Sequence, residues 1–250
     1  MFLFRTSLVH VRRRALLAAA PSLVMAAGIM LSSGAMVRAQ DATPTATMGI
    51  VEAQDALPEC GASELGMLPE GTEAASVYSV VPEESEARYR VQEELAQVGE
   101  TEAVGKTQAI IGQIGFDADG MPVPCARFDI DLRTLQSDQA RRDNYLYNNT
   151  LEAETFPLAT FVVRQVEGMD APLEDGQEAN VTLIGDLTIK DVTKLVAWDA
   201  TVTREGDALT GQAATEFEMP DFSIEPPSVP VVLSLDETIR LEFDVTARPA

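Results

Sequence analysis

Alternation of apolar and polar residues is the feature that most constrains how this chain folds. Across residues 229–245 every second residue is apolar, apart from Glu237, and the residues between them are mostly polar or charged. A period of two puts successive side chains on opposite faces of a β-strand. Strands with one dry face and one wet face are typical of antiparallel sheets.

The same alternation starts near Ala74 and recurs in several earlier stretches. Apolar residues share one parity within 89–95, 128–132, 181–189 and 209–217. About eight such strands favour closure into a barrel or a strongly bent sandwich, because closure removes exposed strand edges. We therefore predict an all-β fold. The pattern alone leaves open whether the interior is filled by side chains or holds one small apolar ligand.

One segment departs from the strand pattern and predicts a short helix. Residues 137–147 are rich in helix-forming side chains. Ser137 is a favourable N-cap residue, and Asp138 would lie in the first turn. The strand that follows would begin near Phe156.

The N-terminal 39 residues have the layout of an export signal. Arginines come first, a long apolar run follows, and small residues precede Gln40. The apolar run is also long enough to remain as an uncleaved membrane anchor, so both interpretations stay open. Residues 40–73, rich in Ala, Thr, Pro, Gly and Glu, predict a flexible spacer. Residues 74–250 form the predicted barrel domain, and its predicted location is extracytoplasmic: periplasmic, at the cell envelope or secreted.

Two cysteines, Cys60 and Cys125, are the only thiols in the sequence. In an exported protein an even number of cysteines favours a disulfide. Such a bond would join the predicted spacer to the barrel. Two unrelated free thiols are the alternative.

Composition argues against most enzyme classes. The single histidine, His10, lies in the predicted export signal, so the rest of the chain has none for a catalytic triad or a histidine-ligated metal. No nucleotide-binding or metalloprotease motif is present. We predict neither enzyme activity nor a metal site nor a cofactor. A glycosidase remains open only because 40 acidic residues supply many carboxylates.

The formal net charge is strongly negative. It is −22 for the whole chain, and removal of the five arginines in residues 1–39 gives −22 − 5 = −27. Such a surface repels nucleic acid and anionic lipid headgroups. We predict no nucleic-acid partner, and membrane contact only through the N-terminal segment if that segment is retained. A homodimer is left open.

Three blocks of sequence carry a resemblance to a known family. They are "SDQARRDNYLYNNTLEAETFPLATF" from Ser137, "GDLTIKDVTKLVAWD" from Gly185 and "PDFSIEPPSVPVVLSLDETIRLEFDVTAR" from Pro220. Their order and spacing resemble the YceI-like, polyisoprenoid-binding family over roughly residues 75–248. The chain departs from that pattern at Glu84-Ser85, where many members have His-Ser, and at Ser223, where Gly is usual. Met219-Pro220 stands where members often have an Arg.

The resemblance implies an extended, lipocalin-like antiparallel β-barrel with one short helix, in an exported protein that holds an isoprenoid or quinone-like lipid. By position it implies these candidates for the lumen wall: Phe128, Ile130, Leu132, Leu183, Leu187, Val196, Trp198, Phe217, Phe222, Leu241 and Phe243. The alternative is a filled barrel that acts, without a ligand, as a structural or interaction protein of the cell envelope.

Overall fold

The computed structural model describes residues 49–52 and 57–250. The predicted export signal or anchor therefore lies outside the described residues, as does the first part of the predicted spacer. Among the residues described, no helix has the length and apolar character needed to cross a bilayer.

The described part of the chain is built mainly from β-strands, as the alternation predicts. Twelve strands form one antiparallel sheet, with the following bounds: β1 Ser76–Val80, β2 Glu86–Leu95, β3 Gly99–Thr107, β4 Ile110–Phe116, β5 Ala126–Asp131, β6 Gln136–Ser137, β7 Leu158–Glu167, β8 Glu178–Ile189, β9 Val192–Glu205, β10 Ala208–Glu218, β11 Val232–Leu235 and β12 Thr238–Pro249.

Eight of these strands close into a ring. Their order is β1-β4-β5-β7-β8-β9-β10-β12, and β12 pairs back onto β1. Strand β12 forks, because residues 247–249 pair with β1 whereas residues 240–244 pair with β2. Strands β3 and β6 extend the sheet beyond β2, and β11 also pairs with β2. The prediction of a lipocalin-like antiparallel barrel of about eight strands is confirmed.

The hairpin between β8 and β9 fixes the register of the longest strand pair. Lys190 and Asp191 both have positive φ, 50° and 61°. Two-residue hairpins favour this conformation because its twist matches that of the flanking strands. The resulting register places Leu183 opposite Trp198.

The alternation predicts one continuous strand in the C-terminal stretch, but the structure divides this stretch into two strands. Strand β11 ends at Leu235, and β12 begins only at Thr238, whose backbone N–H donates to the Asp236 carboxylate at 3.0 Å. A register shift within β11 accompanies the break. Val231 and Leu233 are consequently 46% and 60% exposed, although they share the parity of the inward residues of β12.

The helix is shorter than predicted and starts later. Helix α1 spans Ala140–Tyr145 and continues into a π-helical turn at Leu146–Thr150. Ser137 belongs to β6 and does not cap the helix. Its hydroxyl and its backbone N–H both donate to the Asp143 carboxylate, at 2.6 and 2.9 Å. Ser137 pairs with Gly105 of β3, which places it in the sheet, and the first helical residue, Ala140, comes three positions later.

Residues in the second half of the predicted spacer contact the barrel. We call residues 57–73 the strap. Cys60 and Cys125 form a disulfide, with their Cα atoms 5.5 Å apart. The Gly66 backbone N–H donates to the Asp129 carboxylate at 2.6 Å. The two cysteines predicted the disulfide, but composition did not reveal the hydrogen bond to Asp129, because the partners of the strap lie on distant strands.

A second part of the predicted spacer pairs with β9. Gly49 accepts a hydrogen bond from the Ala197 backbone N–H at 2.9 Å, and the Val51 backbone N–H donates to Leu195 at 3.0 Å. A Cβ at position 49 would lie 2.4 Å from the Glu216 carbonyl oxygen of β10. Residues 49–51 therefore run along β9, and Gly49 lies so close to β10 that only glycine fits at that position.

Candidate ligand-binding cavity

The barrel contains a partly open cavity with a volume of about 1200 Å³. Strands from around the ring contribute to its wall, together with α1, the π-helical turn and the loop that leads into β11. Pockets for small ligands commonly have volumes of about 300–1,000 Å³. This cavity is thus large enough for a sizeable ligand. The alternative of a filled barrel requires a lumen packed with side chains, and the structure has an open cavity there instead.

Seven of the eleven predicted lumen residues border the cavity. Each lies on an inward-facing position or in the short turn after β5, and they are Ile130, Leu132, Leu187, Trp198, Phe217, Leu241 and Phe243. The alternation places them together because residues of one parity share a face across paired strands.

The other four predicted residues belong to the hydrophobic core but do not border the cavity. Phe128 packs edge-on against Phe243, with ring centroids 5.3 Å apart, and Phe222 packs against Phe217 at 4.5 Å. Val196 is fully buried, and Leu183 is a partly buried member of the surrounding core. These four support the wall, and the structure does not place them at its surface.

Trp198 combines a core position with a place on the cavity wall. Its indole packs against Phe161, with ring centroids 5.4 Å apart, and its side chain is almost completely buried. It is the only tryptophan in the sequence. Its fluorescence is therefore a specific reporter of the cavity.

Gly185, an inward-facing small residue, does not create the cavity. A Cβ at Gly185 would lie 2.2 Å from the Val162 carbonyl oxygen and 2.9 Å from the Phe161 ring. The glycine therefore allows β7 and β8 to approach closely. Gly211 and Ala213, which share this inward parity on β10, lie outside the cavity wall.

Sequence reasoning missed a carboxylate on the inner face of β2. Glu93 has the same parity as Tyr89, Val91 and Leu95, borders the cavity, and is only 7% exposed. Parity could have identified it, but a charge is not expected on a dry face. Glu93 accepts a hydrogen bond from the Arg142 guanidinium, which projects from α1.

Arg142 has further partners besides Glu93. Its guanidinium donates to the Asp138 carboxylate at 2.6 Å and to the Ser137 hydroxyl at 3.3 Å. Burial alone would lower the pKa of Arg142, but the bonds and charges of Asp138 and Glu93 outweigh it and raise that pKa. The guanidinium is therefore a fixed charge that holds α1 against β2.

Most other polar residues of the wall come from α1 and its continuation. We use the name polar cap for six amide and charged residues grouped on this side of the cavity: Glu93, Gln139, Arg141, Arg142, Asn144 and Asn149. The remainder of the wall is mainly aliphatic and aromatic. The cavity thus has one polar side and an otherwise mainly apolar wall.

The arrangement does not fit a glycosidase. That chemistry requires a carboxylic acid with a raised pKa. Burial alone would raise the pKa of Glu242, which also borders the cavity, but hydrogen bonds from Arg240, Arg90 and Arg88 lower it to about 2. Glu93 is held in an ion pair with Arg142. Among the described residues, no cluster of potential metal ligands was found.

Comparison with known proteins agrees with this geometry. The family model of the YceI-like domain matches residues 78–247. A UPF0312 protein of Shewanella denitrificans is 30% identical over 160 residues, which cover 60% of this chain and 80% of that protein. Protein YceI of Escherichia coli O157:H7 is 26% identical over 185 residues, which cover 70% of this chain and 91% of that protein.

Two solved structures share the fold. One is a polyisoprenoid binding domain from Saccharophagus degradans, implicated in plant cell wall breakdown; its TM-score is 0.57 at 18% identity, over 69% of this chain and 98% of that one. The other is BcnA of Burkholderia cenocepacia, with a TM-score of 0.53 at 19% identity, over 67% and 98%. The match of the family model over most of the chain, together with the closed barrel, shows that this protein belongs to the YceI-like family.

Proposed function

We propose that this protein binds a long apolar lipid of the polyisoprenoid or isoprenoid-quinone type inside the barrel. The observation that carries the proposal is the cavity of about 1200 Å³, whose wall is mainly apolar. The similar domain from Saccharophagus degradans is described as polyisoprenoid-binding, which supports the same ligand class here.

Burial of apolar surface would supply most of the affinity. Each Å² removed from water contributes about 25 cal/mol before the cost of ordering the ligand is subtracted. A flexible chain loses more freedom on binding than a rigid one, so the regular double bonds of an isoprenoid reduce the cost of ordering it in the cavity. No catalytic step is part of this proposal; the protein holds or carries its ligand.

An extracytoplasmic location completes the proposal. The Cys60–Cys125 disulfide supports it, because such bonds persist in oxidising compartments and are rare in the cytosol. The export-signal layout of residues 1–39 points the same way. The ligand would then be held outside the cytoplasm, in water, by a protein with an acidic surface.

Native mass spectrometry of residues 40–250, purified from an exporting host and followed by organic extraction, tests the proposal. We expect a bound mass that extracts as a polyprenyl or quinone species. A protein that carries no lipid and takes up no added isoprenoid quinone would overturn it.

Filling the cavity provides the matched test by substitution. Ala103 and Ala159 border the cavity, so Ala103→Phe or Ala159→Phe should weaken binding of the longest isoprenoids by at least about tenfold, since each buried CH₂ contributes about 0.8 kcal/mol. Ala208→Phe, outside the cavity wall, is the control. Quenching of Trp198 fluorescence measures affinity, and equal affinities in all three folded variants would count against the cavity as the binding site.

A further inference from the structure

The polar cap determines where the headgroup of a bound lipid can lie. Amide and charged side chains border the cavity on the side of β2 and α1, whereas most of the remaining wall is aliphatic or aromatic. A polar headgroup placed against the apolar wall would lose its hydrogen bonds to water without replacing them. The headgroup therefore belongs beside the polar cap.

Charges at the polar cap do not favour an anion. The cap contributes the cations Arg141 and Arg142 and the carboxylate Glu93. Asp138 and Asp143, which flank them on the same segment, add two further carboxylates. Two positive charges thus face three negative ones, in a chain whose total charge is also strongly negative.

The guanidinium that reaches deepest is already occupied. Arg142 donates to two carboxylates, those of Glu93 and Asp138, and to the Ser137 hydroxyl. A phosphate would have to displace a carboxylate from Arg142, which would leave a buried negative charge without its partner. That exchange is costly at Glu93, whose side chain is only 5% exposed.

The other cations near the cavity do not change this balance. The guanidinium of Arg88 contacts three carboxylates, those of Glu86, Glu242 and Asp244. Arg141 has no ion pair within the described residues, but its side chain is exposed to solvent. A single solvent-screened guanidinium offers little to a group with two or three negative charges.

We propose that the ligand held in this cavity has a neutral, hydrogen-bonding headgroup, such as a quinone ring or a hydroxyl, and that a phosphate or diphosphate headgroup is disfavoured. This inference rests on the proposed lipid-binding function. The amides of Gln139, Asn144 and Asn149 offer both donors and acceptors, which suits carbonyl and hydroxyl oxygens. Glu93 is then a specificity-determining residue, because it occupies Arg142 and keeps anions away.

Three probes of equal chain length separate headgroup from tail: geranylgeraniol, geranylgeranyl monophosphate and geranylgeranyl diphosphate. Binding is followed at low salt through Trp198 fluorescence, with the protein comprising residues 40–250. We expect the alcohol to bind at least about tenfold more tightly than the diphosphate, with the monophosphate between them, since like charges disfavour the anions. Equal or tighter binding of the diphosphate would overturn the inference.

Substitution of Glu93 tests the electrostatic cause. Glu93→Gln removes the charge that occupies Arg142 and should reduce the preference for the alcohol over the diphosphate at least about threefold. Glu94→Gln is the matched control: it makes the same change in net charge at the next residue, which is absent from the cavity wall. Equal effects of the two variants would overturn the role of Glu93.

The experiment also separates this inference from the function on which it rests. If neither the alcohol nor the diphosphate binds, the proposed function itself fails. If both bind with equal affinity, lipid binding stands and the neutral-headgroup inference is overturned. Circular dichroism and urea unfolding establish that each variant is folded before its affinity is interpreted.

Discussion

Two buried ion pairs occupy different regions of this barrel and differ in what surrounds them. Arg127–Asp129 lies on the outer side, beneath the strap, and Arg142–Glu93 lies at the cavity. In both pairs the arginine side chain is 17% exposed and the carboxylate side chain is almost fully buried. Similar burial and similar chemistry therefore occur in two unlike settings.

The difference lies in the additional partners of the carboxylate. Asp129 accepts two bonds from Arg127, at 2.7 and 2.9 Å, one from the Thr160 hydroxyl and one from the Gly66 backbone N–H, both at 2.6 Å. Burial alone would raise the pKa of Asp129, but these bonds outweigh it and lower that pKa. Asp129 thus joins β5, β7 and the strap, and it serves stability.

The pair at the cavity involves fewer elements. Glu93 is held by Arg142, which links β2 to α1, and the same arginine is shared with exposed Asp138. This pair borders open volume, whereas the other is sealed by the strap. The comparison indicates that the outer pair is part of the scaffold and that the inner pair shapes the cavity. Four predictions test this distinction.

Loss of the disulfide should have the largest effect on stability. Cys60 and Cys125 are 65 residues apart, and closure of a loop of this length is expected to contribute about 4 kcal/mol. The double change Cys60→Ser and Cys125→Ser should lower the free energy of unfolding by roughly this amount in urea titrations. Affinity for an isoprenoid should change little, because neither cysteine borders the cavity. A large loss of affinity with intact stability would reverse the assignment of the strap to the scaffold.

Asp129→Asn should have the next largest effect. The substitution keeps the shape of the side chain but leaves the Arg127 guanidinium half-buried without a charge partner, at a cost of about 3 kcal/mol. Asp131→Asn is the control on the same strand, where the Arg133 partner is 52% exposed and the pair contributes little. Both variants are compared by urea unfolding, and equal destabilisation would show that burial under the strap is unimportant.

Lowering the pH should remove the contribution that a third buried carboxylate, Glu242 on β12, makes to the free energy of unfolding. Its pKa falls from 4.5 to about 2 in the folded protein, because three guanidinium groups outweigh the effect of burial. Because the pKa is lower in the folded protein, the unfolded chain takes up its proton at a higher pH than the folded protein does as the pH falls. The stabilisation is therefore complete above about pH 4.5 and is lost as the pH falls toward 2.

We expect this loss to be about 2 kcal/mol, after allowance for partial solvent screening. The measurement is the free energy of unfolding between pH 6 and pH 2.5. Glu242→Gln should flatten part of the decline, whereas Glu94→Gln should not. An unchanged acid profile for Glu242→Gln would show that the guanidinium cluster does not hold this carboxylate in its charged form.

Alternation predicted the strands and most of the cavity wall because a barrel converts parity directly into an inner and an outer face. Trp198, Phe217 and Leu241 have the inward parity, were implied as lumen residues by the family resemblance, and border the cavity. The same rule failed for the exposed Leu233, since a break at Asp236 separates β11 from β12. Parity reports which face a residue occupies only while the strand continues.

The strap and Glu93 show what alternation could not provide. The strap is held by hydrogen bonds between residues distant in the sequence, such as Gly66 with Asp129, 63 positions apart, and local composition contains no record of them. Glu93 has the inward parity, but its charge is explained only by Arg142, which arrives from a helix 49 residues away. Long-range pairing, and not strand formation, limited the prediction of the site.

The prediction with the smallest expected effect on stability, replacement of both partners of an ion pair, distinguishes the two pairs most directly. Replacing both partners of the inner pair, with Arg142→Met and Glu93→Met, should change the free energy of unfolding by less than about 1 kcal/mol, because apolar side chains of similar size can replace a buried ion pair without loss. The same double replacement of Arg127 and Asp129 should cost more, since the Gly66 N–H and the Thr160 hydroxyl would lose their acceptor. Urea unfolding of the two double variants, with the four single variants completing each cycle, gives the comparison. Equal losses would mean that both pairs belong to the scaffold, whereas a nearly neutral inner pair would leave the shaping of the cavity as the reason for its presence.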